Sequence, residues 1–299
     1  MPYIGELYSL LTACFWSGSS IAFTAATRRI GSVQVNTSRL IMAAGYLGLL
    51  LLVARPAIDL STTQILYLSI SGCIGFTLGD TFLFQAFKQI GARMSMLVMS
   101  LAPAAAALLG LLLLDEELPA WGVAGIAVTI AGIGIVVLEQ RSAADGPTAA
   151  HRIVRGGFAL ALLAAIGQGS GLVFAKMAFR EGDINGFVAT FVRILASLVV
   201  LLPLSVLSGR YRKPIQVLRN DRTALFHSVL GSILGPFLGV TSSLLAIQHT
   251  KVGVAATIMA TTPIVMLPIV HFVQKEQLGW RAVAGAVIAT LGVALLFLH

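Results

Sequence analysis

The sequence predicts an all-α integral membrane fold of ten transmembrane helices, arranged as two inverted five-helix repeats. Three observations lead there. Hydrophobic residues make up 57% of the 299 positions and charged residues 11%, against roughly 25% charged in soluble chains; mean hydropathy is +0.92. The apolar residues fall in runs long enough to cross a hydrocarbon layer about 30 Å thick at about 1.5 Å per residue. Finally, one run is written twice. A shift of 160 positions lays Leu97–Glu117 on Thr257–Gln277, with Met99 on Met259, Pro103 on Pro263 and Glu116 on Glu276. The register continues, Gly125 falling on Gly285 and Gly132 on Gly292.

Ten apolar segments can be read: 5–27, 33–54, 64–87, 93–114, 119–138, 156–179, 186–208, 224–248, 252–274 and 279–298. No Lys or Arg precedes the first, which is also longer than a signal core, so it reads as a span and not as a cleaved leader. Phe15–Phe23 (FWSGSSIAF) in the first resembles Ile166–Phe174 (IGQGSGLVF) in the sixth. An arginine then opens the following helix in each half, Arg39 and Arg193. The fourth and ninth segments carry Pro103 and Pro263 near their middles, where proline removes a backbone donor and kinks the helix. Gly-rich fifth and tenth segments place Gly125 with Thr129 and Gly285 with Ala289 at four-residue spacing, which favours close helix contacts. The polar stretch Glu139–Arg155, with Gly146 and Pro147, reads as the linker between the repeats at 5–138 and 156–298. A second polar, basic stretch, Ser208–Arg222, joins the seventh and eighth segments. Five spans per half is an odd number, so the second half must enter the membrane from the opposite face.

The net charge of +8 would suggest nucleic acid in a soluble chain. Here the basic residues lie mostly in short loops, where orientation and lipid headgroups account for them, and no nucleic-acid partner is expected. Arg28, Arg29, Arg210, Arg212 and Lys213 are among many on the face opposite the termini, against Arg55, Arg180 and Lys251 on the terminal face. The positive-inside rule therefore puts both termini outside. Cys14 and Cys73 lie within apolar runs and read as packing residues.

Two interrupted apolar runs at corresponding positions point to a central binding site. Around Pro103 and Pro263, the hydroxyls of Ser100, Thr257, Thr261 and Thr262 could face a solute or bond back to helix carbonyls. Trp16, Ser17, Ser19 and Ser20 on the first helix and Gln168 and Ser170 on the sixth form matched polar clusters, suited to a cavity wall or to close packing. Asp80 is the one acidic residue deep in a span, and Arg39 lies at similar depth, so the two are expected to pair as a static or a coupling charge pair. Lys176 and Arg193 lie nearer the terminal face, where long basic side chains snorkel to the interface; turned inward, they suit an anion. Glu116 and Glu276 read as helix-start charges. No metal or cofactor site is read.

The proline-bearing fourth helix with its acidic turn (LLLLDEEL, then VQKEQL), the Gly-rich fifth helix (GVAGIAVTIAGIGIVV, then AVAGAVIATLGVALLF) and the segment GDTFLFQAFKQIGA together resemble the drug/metabolite transporter superfamily, in its ten-helix EamA-type branch. The resemblance covers nearly the whole chain and implies two inverted five-helix repeats around a central cavity in the cell membrane. It implies a carrier of small organic solutes by alternating access, since members export amino acids and related metabolites or exchange phosphorylated or nucleotide-linked sugars. Export of an amino acid-like or related solute is expected here, by a monomer or homodimer, with a coupling proton or an exchanged solute. It also implies cytoplasmic termini, against the charge count. Two other classes stay in view, an intramembrane enzyme and a membrane scaffold or sensor. There is no HExxH pattern, no P-loop and no second deep acid beside Asp80.

Overall fold

The computed structural model describes residues 3–56, 58–113, 120–144, 155–211, 213–250, 255, 258–274 and 279–297. The described residues are helical, with no strand among them. Helices α1 (Ile4–Ile30) and α2 (Ser32–Ala54) meet at Gly31, whose φ of 89° suits a residue without Cβ. Helix α3 (Thr62–Gly72) starts on a reciprocal cap between Ser61 and Gln64 and runs through a π-helical turn, Cys73–Gly79, into α4 (Asp80–Met99). Gly91, at φ 77°, turns the chain within that last stretch. Helices α5 (Ala102–Leu113), α6 (Ala120–Ala144), α7 (Arg155–Arg180) and α8 (Gly186–Leu207) come next. The short α9 (Pro214–Asn220) leads to α10 (Arg222–Ser232), a second π-helical turn at Ile233–Gly239, and α11 (Val240–His249). Helices α12 (Thr262–Gln274) and α13 (Trp280–Phe297) complete the order.

Among the described residues, six helical stretches are long and apolar enough to cross a membrane: Ile4–Ile30, Ser32–Ala54, Thr62–Met99, Gly156–Arg180, Gly186–Leu207 and Arg222–His249. Four shorter apolar helices accompany them: Ala102–Leu113, Ala120–Val136, Thr262–Phe272 and Trp280–Leu295. Their outer faces carry bare Leu52, Val199, Leu207 and Phe272. So much exposed apolar surface suits lipid and would be a liability in water.

Several boundaries differ from the sequence reading. The expected linker 139–155 begins as helix, because α6 continues to Ala144. The basic stretch after the seventh segment holds α9, with Pro214 at its first position, where a missing N–H costs nothing. The fourth segment, 93–114, is not one helix but stops at Met99 and restarts at Ala102. Glu116, Glu276, Gly146 and Pro147 lie outside the described residues.

Two interruptions recur at the 160-residue offset. The π-helical turns at Cys73–Gly79 and Ile233–Gly239 correspond residue for residue. Each closes with an amide reaching five residues back, Asp80 to Gly75 and Val240 to Gly235. The second pair is the break before each proline. At the first, Ser100 N–H donates to the Leu97 carbonyl at 3.2 Å and Leu101 N–H to that of Val98 at 3.0 Å; at the second, Thr261 N–H donates to the Ile258 carbonyl at 3.0 Å. Proline withholds the amide that would close the next helical turn, so the chain tightens into three-residue turns just before it.

Packing obeys a matched plan. Helix α1 lies against α10, the second π turn, α11 and α12, while α7 lies against α3, the first π turn, α4 and α5. Helix α2 packs on α8, and α6 on α13. The last contact is tight: a Cβ on Gly132 would stand 2.4 Å from Ala289 N, and one on Gly292 2.4 Å from Thr129 N. Small residues on these two helices therefore act as scaffold, letting the backbones approach closely.

Candidate functional site

The interruptions surround a cavity of about 200 Å³, lined by α1, α2, both π turns, α4, α5, α7, α8, α11 and the α12 region. Trp16, Ser20, Ser100, Pro103, Gln168 and Pro263 line it, as do Arg39, Asp80 and Arg193. Thr262 lines it where Thr261 does not.

Two turns of α2 into the bundle, Arg39 reaches Asp80, the first residue after the π turn. The Arg39 Nη2 donates to Asp80 Oδ2, with both side chains buried. Gln168 Nε2, from α7, donates to the other oxygen, Oδ1, at 2.7 Å. Arg39 Nε donates to Asn36 Oδ1 at 2.9 Å, and Asn36 Nδ2 to Thr81 Oγ1 at 3.1 Å. The chain of polar groups thus ties α2, α4 and α7 together. A π turn adds a residue, and each added residue rotates the remainder of the helix by about 100°. It sets the face on which Asp80 emerges, and π turns concentrate at functional sites for this reason.

The Arg39 guanidinium also lies 4.7 Å from the Phe84 ring centre and 5.4 Å from that of Phe23. Phe23 and Phe84 sit 5.0 Å apart, and Phe84 and Phe87 5.5 Å apart. With Leu83 and Met96, these rings form a buried wall near the α1–α2 turn. Lining residues toward the opposite end are mixed: Trp16, Leu172, Ser243, Ile247 and Met259 are half-buried, whereas Leu244 and Ala260 are buried. The cavity is therefore closed by aromatic packing at one end and looser at the other.

Arg193 overturns the snorkelling expectation. It is 5% exposed, and its guanidinium lies 4.7 Å from the Phe76 ring centre inside the bundle. Its Nε has no hydrogen-bond partner among the described residues, and the buried ion pair described for Asp80 is with Arg39. Helix α8 is pressed so closely on the end of α3, just before the first π turn, that a Cβ on Gly72 would stand 2.1 Å from the Arg193 carbonyl oxygen. Arg193 therefore sits where α8 packs into the bundle, and its side chain is buried there.

Four of the expected residues lie elsewhere. Ser17 is fully buried, bonding to the Ala13 carbonyl at 2.7 Å and the Thr262 carbonyl at 3.1 Å, so it joins helices and does not face the cavity. Ser170 bonds back to the Ile166 carbonyl at 2.7 Å and Thr261 to that of Ile258 at 2.7 Å, each within its own turn. Lys176 is half-buried and away from the cavity wall. Thr257 lies outside the described residues. The sequence reading passed over Phe23, Phe76, Phe84, Phe87, Met96 and Ser243; the only available signal was the aromatic spacing Phe76, Phe84, Phe87 around Asp80.

Comparison with known proteins places this geometry. A solved crystal structure superposes with a TM-score of 0.68 over 98% of this chain and 97% of its own, at 19% identity, and so shares the fold. An uncharacterized transporter of Archaeoglobus fulgidus is 24% identical over 292 residues, covering 98% of this chain and 97% of that protein. An uncharacterized transporter of Clostridium kluyveri is 24% identical over 141 residues, 47% of this chain and 44% of that relative, so this match spans less than half of the relative's length. The sequence pattern of the EamA-like transporter family matches residues 3–138 and 155–298. The chain is thus a multi-pass integral membrane protein that belongs to the EamA-like transporter family.

Proposed function

We propose that the chain is a ten-span carrier that exports a small organic solute through the central cavity by alternating access. In this reading residues 5–138 and 156–298 are inverted five-helix repeats, joined by 139–155. The matched interruptions support it, because the two π turns and the two proline breaks recur at one offset. So does the packing plan, in which the second-half neighbours of α1 correspond to the first-half neighbours of α7. The observation that carries the reading is the cavity itself. It is lined from both halves, holds buried charge, and is closed at one end by the Phe23, Phe84 and Phe87 rings. Asp80 is held on both oxygens by Arg39 and Gln168, an arrangement that suits a structural charge better than a general acid or base.

The test is flux into proteoliposomes across a panel of labelled organic acids, amines, amino acids and sugars. The carrier reading expects at least one solute to move in a protein-dependent way and to be recovered unchanged. Chemical conversion of the solute, or no protein-dependent movement of any solute in the panel, would contradict it.

A further inference from the structure

The charged residues on the described cavity wall are Arg39, Arg193 and Asp80, so the wall carries one net positive charge. Arg39 and Asp80 neutralise each other in a hydrogen-bonded pair. Arg193 is attracted to the same carboxylate without a described hydrogen bond to it, and supplies the surplus charge, buried and with its Nε unsatisfied. A charge held in a low-dielectric interior is costly unless paired and hydrogen-bonded. Its contact with the Phe76 ring supplies part of the compensation and leaves the Nε donor unused. Glycine keeps the neighbouring space free: a Cβ on Gly75 would stand 3.7 Å from Arg193 Nη2 and 3.8 Å from Gln168 Oε1.

We infer that Arg193 is the docking point for the carboxylate of the transported solute, and that the solute is a small monoanion with an apolar body. This rests on the carrier reading above for its role in transport, though the binding site stands on its own geometry. Charge balance selects a monoanion. One carboxylate brings the wall to neutrality, whereas a phosphate monoester near −2 would overshoot and a cation would raise the uncompensated charge. A guanidinium meets a carboxylate with two parallel N–H donors, a geometry a neutral amide cannot match. Most of the remaining wall is apolar, and the hydroxyls of Ser20, Ser100 and Thr262 on it bond back to carbonyls of their own chain segments. Leu83, Phe84, Met96, Met99 and Met259 face the space, and flexible thioethers adapt to an irregular hydrocarbon shape.

The test uses the full chain in nanodiscs and calorimetric titration, with empty nanodiscs as the blank. The probes are 3-phenylpropanoate, its amide and the corresponding amine. The inference expects the carboxylate to bind about tenfold or more tightly than the amide, and the amine to be weakest. Arg193→Gln should erase that preference, while Arg193→Lys should keep part of it. Gly75→Ala leaves the charge in place and makes only ordinary contacts, so it should fold and still weaken carboxylate binding. If Arg193→Gln does not fold, the wild-type series and Gly75→Ala decide the matter. Equal affinity for acid and amide, tighter binding of the amine, a preference that survives in Arg193→Gln, or carboxylate binding undiminished in Gly75→Ala would overturn the inference. Carboxylate binding without flux would instead contradict the carrier reading alone. Flux of a cation with no carboxylate binding would contradict this site and leave the carrier standing.

Discussion

Arg39 closes on Asp80 from a different helix, deep in the bundle, and the pair is backed by Gln168 on one side and by the Phe23 and Phe84 rings on the other. Breaking a buried pair leaves a bare charge, which costs about 3–5 kcal/mol, whereas removing both partners costs less. Asp80→Ala and Arg39→Ala should each lower stability by that order, and the double variant should lose clearly less than the sum. Thermal unfolding in detergent provides the check. Additive losses would mean that the pair is not coupled.

The glycines separate by what surrounds them. A Cβ on Gly72 would stand 2.1 Å from the Arg193 carbonyl, whereas one on Gly134 would meet nothing within 4 Å. Gly72→Ala should therefore destabilise by about 1–3 kcal/mol through overpacking. Gly134→Ala should be neutral or stabilise by up to about 1 kcal/mol, as alanine does in a helix. Melting temperatures of the two variants should move apart, and a matching fall in both would contradict the contact.

How far the sequence foretold this arrangement depended on which physical signal each residue left. Hydropathy marked the helices, and counting residues in from the membrane face put Arg39 beside Asp80. The same counting misread Arg193, because depth says nothing about direction; its close approach to Gly72 exists only after α8 packs on the end of α3. The π turns themselves are changes in hydrogen-bond phase, to which hydropathy is blind. Their one trace was the glycine spacing Gly75 and Gly79, repeated at Gly235 and Gly239. Ser17 and Ser170 looked alike in sequence and share a local backbone bond, but only Ser17 also reaches a second helix.

The proline breaks should matter to movement more than to folding. Restoring the amide with Pro103→Ala lets the turn at Ser100–Leu101 close into regular helix. Flux should fall severalfold while melting temperature holds or rises. Unchanged flux would make the break a packing feature only.

Asp221 caps α10 by accepting from Ala224 N–H at 2.9 Å, and it receives Arg29 Nε at 2.7 Å on Oδ2. Hydrogen bonds from Arg29 and then from the Ala224 backbone amide hold its carboxyl below the usual value. The folded protein thus binds this proton less readily than the unfolded chain. The stabilisation is complete above the unfolded value, about 4, and is lost as pH falls through the lower folded value. The melting-temperature gap between wild type and Asp221→Ala should be constant from about pH 8 to 5 and shrink only in stronger acid. A gap that closes near neutral pH would contradict the assignment.

If solute crosses through the cavity between the proline breaks, blocking that cavity must stop transport. Counterflow in proteoliposomes decides the point, comparing wild type with Ser100→Trp, which places a large ring on the cavity wall. Wild type should accumulate labelled solute chemically intact, and the folded variant should not. Equal accumulation by both proteins would contradict passage through this cavity.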